Sequence, residues 1–217
     1  MADWYSKFKE HMNVIFTEKD FANYLNMVKH DLWIYEKYLD NHKSKVKLLD
    51  CGCGLGCTAI PMSYLGYDVI GIDIDKKVIA AAKINAKRFG KKIKILDVDL
   101  FDIDKKFKKN QFNCVMHGGV IEHFPKSKIP ILLRKMLKVS PLIIASFPIG
   151  TDRSFKHYKV KKIGDRTICC DGIYRNLWTI KEWKDILKDF NVIETKKVRC
   201  HHLIGKFDEM FVVIKTD

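Results

Sequence analysis

Three glycines within seven residues carry the first chemistry that can be read from this chain, in Asp50-Cys51-Gly52-Cys53-Gly54-Leu55-Gly56. Glycine has no Cβ, so glycines at alternate positions let a backbone turn sharply and come close to a ligand. Asp73 follows 23 residues after Asp50. At the end of the next strand, a carboxylate can accept hydrogen bonds from both hydroxyls of a ribose. The pair of features points to a cofactor that carries a nucleoside. Dinucleotide-binding loops share this logic, but they space their glycines G-x-G-x-x-G and set a pyrophosphate on a helix N-terminus. Here the spacing is G-x-G-x-G behind Asp50, and an acid at that place suits a ligand with a cationic amino acid end.

A second set of reactive side chains is His117, Glu122 and His123. Imidazole titrates near neutrality, so His117 and His123 are the candidate catalytic groups, as general base or as substrate contact. The other reading of His123 is a packed, hydrogen-bonded ring at the start of the following helix. Cys51, Cys53 and Cys57 lie inside the glycine loop at a spacing that fits neither zinc nor an iron–sulfur cluster, so they read as small loop residues. Cys169-Cys170 and Cys200-His201-His202 have no partners at a recognisable ligand spacing, and no metal site is predicted.

Two segments have the composition to choose a substrate. Thr151 to Trp178 holds Arg153, His157, Tyr158, Lys159, Arg166, Tyr174, Arg175 and Trp178. Guanidinium groups pair bidentately with carboxylate or phosphate, so His157, Arg175 and Trp178 are the candidate contacts to an anionic or planar acceptor. A solvated loop is the other reading. The aromatic N-terminus, with Trp4, Tyr5, Phe8, Phe16, Phe21, Tyr24 and Trp33, reads either as a lid over the cofactor or as ordinary helix core.

The elements that must position these groups alternate. Val46 to Asp50 reads as a buried strand ending at the glycines, Thr58 to Tyr67 as a returning helix, and Val69 to Asp73 as the second strand. Further strands fit Ile93 to Leu96, Phe112 to Met116 and Leu142 to Ser146, the last after the amphipathic segment Ile129 to Val139. Such alternation predicts an α/β fold with a parallel sheet covered on both faces. Thr179 caps a helix running to Phe190, and Val192 to Val198 and Glu209 to Ile214 are joined only by a short turn at Gly205-Lys206, which predicts an antiparallel pair. Before the first strand, Phe16 to Leu39 reads as one or two helices opened by Thr17 or Asp20.

With these pieces in place, Leu48 to Gly56 resembles the first motif of the class I S-adenosylmethionine-dependent methyltransferases. Phe112 to Val115 with Gly119 to Phe124 resembles the fourth motif of the subgroup often labelled type 11 or type 12. The resemblance covers roughly residues 46 to 215. It implies a Rossmann-like, seven-stranded, mostly parallel sheet with an antiparallel final pair and N-terminal helices. It also implies S-adenosylmethionine as cofactor and S-adenosylhomocysteine as product. Cofactor contacts would fall on Asp50, Gly52, Cys53, Gly54, Gly56, Asp73, Ile74, Asp99, Leu100 and His117. Some relatives hold a divalent ion with Glu-x-x-Glu-His. Here the first glutamate position is Gly119, which removes a hard oxygen ligand. Asn113 stands where the family often has aspartate.

With 217 residues, 47% of them hydrophobic, one domain is expected over 1–217. It divides into a helical extension (1–45), a cofactor-binding core (46–150), a substrate-side insertion (151–178) and a C-terminal helix with its strand pair (179–217). No run of 18 apolar residues occurs, and seven cysteines, an odd number, suit reduced thiols; a cytoplasmic protein off the membrane is expected. The net charge of +14 attracts anions without naming one. The leading function is in-line methyl transfer to a small, anionic-compatible molecule. RNA or a protein side chain is the alternative acceptor, and a non-catalytic S-adenosylmethionine-binding regulator is the third reading.

Overall fold

A computed structural model describes residues 3–40, 42–163, 166–168, 173–199 and 207–216, with the side chains of 161–163 and 166–168 outside the description. The chain opens with α1 (Trp4–His11) and α2 (Glu18–Tyr38). Thr17 starts α2 through a capping box: its hydroxyl accepts from the Asp20 N–H while the Asp20 carboxylate accepts from the Thr17 N–H. Phe16 to Leu39 therefore holds one helix, and both residues expected to open it do so together.

The repeat follows as β1 (Lys47–Cys51), α3 (Ala59–Tyr64), β2 (Asp68–Asp73), α4 (Lys76–Phe89), β3 (Ile93–Asp97), α5 (Ile103–Lys106), β4 (Cys114–Gly118), α6 (Ile129–Val139) and β5 (Leu142–Pro148). Next come α7 (Asp152–Tyr158), a small hairpin of β6 (Lys161–Ile163) and β7 (Arg166–Ile168), α8 (Ile180–Leu187), β8 (Asn191–Arg199) and β9 (Asp208–Lys215). The turn expected at Gly205-Lys206 lies outside the described residues.

Several element bounds differ from the sequence reading, among them α8, which ends at Leu187 and not at Phe190. The helix expected over Thr58 to Tyr67 stops at Tyr64, because Gly66 takes φ +105° and the Tyr67 ring turns into the core. The strand expected over Phe112 to Met116 begins at Cys114, since the Phe112 N–H donates to the Val139 carbonyl. Asn113 is bound to the start of β1: its N–H donates to the Lys47 carbonyl and its Oδ1 accepts from the Lys47 N–H at 2.8 Å. A carboxylate could accept that bond equally well, so an amide in place of the family's aspartate keeps the role.

The seven-stranded sheet has the order β3-β2-β1-β4-β5-β9-β8; the strands from β1 to β5 pair in parallel, and β9 pairs antiparallel with both β5 and β8. Alternation along the strands feeds two cores. Leu48, Val69, Met116 and Ile144 pack with α2, α3 and α4 on one face. Leu49, Ile72, Val115 and Ile143 pack with α6 and α8 on the other, around the fully buried Trp183. Strand order reverses between β1 and β4. In a parallel sheet that reversal opens a crevice beyond the carboxyl ends of the strands.

Candidate active site

The crevice is walled by the loop after β1, which runs from Gly52 to Gly56. Gly56 sits at φ +90°, and a Cβ there would lie 2.5 Å from Ile60 Cδ1. Gly52, at φ +69°, has the same restriction: its Cβ would meet Val120 Cγ2 at 2.8 Å. The loop after β4 is therefore packed directly on the glycine loop. Backbone bonds fix the path, with Cys53 N–H donating to the Ile72 carbonyl at 2.8 Å and Ile60 N–H to the Gly56 carbonyl at 3.0 Å. The Cys53 and Cys51 side chains point into the two cores, and burial pushes both thiols well above their usual range. Any contact of Cys53 with a ligand would thus run through its backbone.

Asp50 is buried at the end of β1. Burial, and then the nearby Asp73 carboxylate, push its carboxyl up to about 7, while a bond from the Ala59 backbone N–H pulls the other way. Asp73 closes β2 and is fixed by backbone donors: Gly54 N–H reaches Oδ2 at 3.0 Å, and Ile74 and Asp75 N–H reach Oδ1 at 2.8 and 3.0 Å. A carboxylate has about four lone-pair sites, so accepting capacity remains. Beside it Ile74 is a large apolar side chain left 42% exposed. Asp99, after β3, accepts from the Phe101 N–H at 2.8 Å, and Leu100 next to it is half-buried.

Across the crevice, the loop after β4 carries the titratable groups. His117 is buried on β4 and, among the described residues, neither ring nitrogen has a hydrogen-bond partner; burial lowers its ring to about 4, so it is neutral at physiological pH. Glu122, 1% exposed, has Oε2 without a partner among the described residues, and burial pushes its carboxyl up to about 8. Arg175 opposes that rise and Glu209 adds to it. His123 is held on three sides. Its Nδ1 stands 2.8 Å from the Tyr174 carbonyl, its Nε2 3.5 Å from Glu122 Oε1, and its ring edge-on to Trp4 at 4.9 Å between centroids. A carbonyl only accepts, so Nδ1 carries a proton, while Nε2 faces Glu122 Oε1.

Helix α1 lies across these loops. Tyr5 N–H donates to Asp75 Oδ2 at 3.4 Å, a Cβ on Gly54 would lie 3.2 Å from the Phe8 ring, and Trp4 meets His123. No residue of α1 is buried. The helix is attached further on by a residue the sequence reading passed over. Buried Asn85 of α4 accepts from Phe16 N–H at 2.9 Å and donates to the carbonyls of Val14 and Leu55 at 3.0 and 3.2 Å. Only its place on the apolar face of α4 could have signalled it.

The segment after β5 divides. Arg175 sits with its guanidinium 4.9 Å from the Tyr158 ring centre, and its charge is felt at Glu122; His157 stacks on Phe207 at 5.4 Å. Trp178 is directed elsewhere, edge-on to Trp183 at 4.9 Å, so its ring packs on the core cluster around Trp183. Tyr174 and Asn176 support the loop after β4: the Asn176 N–H donates to the Glu122 carbonyl at 2.8 Å and its side chain donates to the Phe124 carbonyl. Among the described residues no three His, Cys, Asp or Glu side chains gather as a metal site; Cys169, Cys170, Cys200, His201 and His202 lie outside them.

Residues 48–140 match a family model described as a methyltransferase domain. A ubiquinone biosynthesis O-methyltransferase of Rhodopseudomonas palustris is 39% identical over 124 residues, covering 56% of this chain and 46% of that protein. Its counterpart from Pelagibacter ubique is 38% identical over 84 residues, covering 39% of this chain and 34% of that protein. The chain thus spans less than half the length of these curated relatives. Among solved structures, a protein of Pyrococcus horikoshii superposes with a TM-score of 0.76 at 18% identity, covering 100% of both chains. A magnesium protoporphyrin IX methyltransferase of Synechocystis, solved with bound S-adenosylhomocysteine, gives 0.67 at 18% identity, covering 99% of this chain and 93% of that one. Residues 48–140 thus match a methyltransferase-domain model, and the sheet order and superposition give the chain the fold seen in that S-adenosylhomocysteine-bound methyltransferase.

Proposed function

We propose that the protein transfers the methyl group of S-adenosylmethionine to a small acceptor, with the whole chain working as one catalytic unit. The observation that carries this reading is the convergence, at the strand-order reversal, of a glycine cradle, Asp50 and Asp73 on one side and, on the other, the His117 ring and Glu122 Oε2, which have no hydrogen-bond partner among the described residues.

The residues present fit the cofactor. A Cβ at Gly52, Gly54 or Gly56 would press on Val120, Phe8 or Ile60, so the loop is built bare. Asp73 keeps accepting capacity for ribose hydroxyls, and exposed Ile74 offers an apolar face for a base, with Asp99 and Leu100 beyond it. Buried Asp50 is placed to answer a cationic amino group. When bound, the sulfonium supplies a methyl already activated for in-line displacement. The chain's share is then alignment and exclusion of water. Helix α1, lying over Gly54, Asp75 and His123, is the element that excludes it.

A hydroxyl or amine acceptor must lose a proton, and Glu122 Oε2 is the free accepting atom once that carboxyl ionises. His123, with both nitrogens engaged, works as a positioning residue that steadies Oε1. Arg175 and His157 form a cationic and aromatic border suited to an anionic acceptor. The relatives named for ubiquinone and protoporphyrin methylation support a small-molecule acceptor.

The test is to incubate the protein with methyl-labelled S-adenosylmethionine and extract of its own cell, fractionated into small molecules, RNA and protein. Label is expected in the small-molecule fraction. Label confined to RNA or protein would overturn the acceptor class, and none anywhere would overturn methyl transfer.

A further inference from the structure

We propose that a groove on the far edge of the sheet, between the end of α4 and strand β3, binds single-stranded nucleic acid. Between residues 76 and 94 the chain has eight lysines and arginines and no acid. Some of that charge is engaged, with Lys92 paired to Asp68 at 2.9 Å and Arg88 donating to the Phe16 carbonyl at 2.6 Å. Lys83, Lys87, Lys91 and Lys94 instead line a groove of about 500 Å³ whose floor is Ala86, Ile93, Ile95 and Leu96. Among the described residues, Lys83, Lys87 and Lys94 form no salt bridge, and all four lysines are exposed.

Single strands are held where a cationic track runs beside an aromatic face, because phosphates follow the charges and bases stack on the ring. Both parts are present. Lys83 and Lys87 are one helical turn apart on the same face of α4, about 6 Å between Cβ atoms. Lys91, which lines the groove, sets its Nζ 4.5 Å from the centre of the Tyr64 ring, a side chain outside the lining that is 42% exposed. The open edge of β3 continues the track through Lys94. An acidic peptide would use the charges, but it has no use for the ring.

The groove is not the acceptor crevice, since β2 and β1 stand between β3 and β4. The proposal therefore goes beyond methyl transfer and stands without it.

The test is fluorescence anisotropy with a labelled oligouridylate about twelve nucleotides long, at several salt concentrations. The triple variant K83E/K87E/K94E is compared with K181E/K184E/K188E, which makes the same charge change on exposed positions of α8 and the residue after it. The groove variant is expected to bind about 30-fold more weakly, with the salt slope shallower by about 2, while the α8 variant loses less than about 3-fold. Should the glutamate variant melt early, K83Q/K87Q/K94Q replaces it, with about 10-fold loss expected. Equal loss in the two triples would assign binding to net charge alone and overturn the site. Absent wild-type binding, or unchanged binding by the groove variant, would overturn it as well. Displacement by polyglutamate as effective as by unlabelled oligouridylate would overturn the choice of nucleic acid.

Discussion

Asp50 and Glu122 are acids held proton-rich by burial, up to about 7 and about 8, and that has a consequence for stability. A carboxyl raised on folding costs nothing in acid, where both states are protonated, and loses stability as pH rises from its unfolded value through its folded one. The unliganded protein should therefore weaken between about pH 4 and pH 8. Asp50→Asn removes one of the two penalties. Its melting temperature should exceed the wild type's by about 8–16 °C at pH 8, roughly 4 kcal/mol, and match it near pH 4. A melting curve at each pH checks this, and an equal shift at both would refute the buried-acid account. Gly56→Ala should act the other way. A side chain at φ +90° set 2.5 Å from Ile60 should cost about 2 kcal/mol in a denaturant titration and abolish cofactor binding. The turn of the glycine loop and the place of Asp73 at the end of β2 were legible in the sequence because they depend on residue type and spacing. The burial of Glu122 was not: it depends on Tyr174 and Asn176, some 50 positions away, closing over the loop after β4.

Among elements, α1 is the one whose role rests on where it lies more than on what it buries. It touches the loops after β1, β2 and β4 yet contributes no buried residue. Trp4→Ala should leave the melting temperature within about 2 °C of wild type, since Trp4 is only half-buried at the margin of its core cluster. It should weaken S-adenosylhomocysteine binding severalfold in calorimetry; unchanged binding would remove the lid reading. Asn85→Ala separates anchoring from covering. Loss of the amide leaves the Phe16 N–H and two carbonyls without their partner, so a drop of about 1–3 kcal/mol in unfolding free energy is expected. The alternating strands and the final antiparallel pair could be read from the sequence, because period and connection length dictate them. The start of β4 and the seat of Trp178 could not. Phe112 is drawn out of the ladder by the Val139 carbonyl, and Trp178 is apolar enough for either a crevice or the core until Trp183 is seen beneath it.

For the molecule as a whole, a ligand that binds only the folded state must stabilise it in proportion to occupancy. At about a hundred times its dissociation constant, S-adenosylhomocysteine should contribute roughly 2.7 kcal/mol and raise the melting temperature by about 5–10 °C. Asp50, Asp73 and the glycine loop lie on one side of the strand-order reversal and His117 and Glu122 on the other, so the proposed cofactor half can be tested without knowing the acceptor. The most direct measurement is isothermal titration of S-adenosylhomocysteine into the wild type and into Asp73→Ala. A saturable one-to-one isotherm in the micromolar range for the wild type, weakened at least tenfold by the substitution, is predicted; no saturable binding by the wild type would contradict the account.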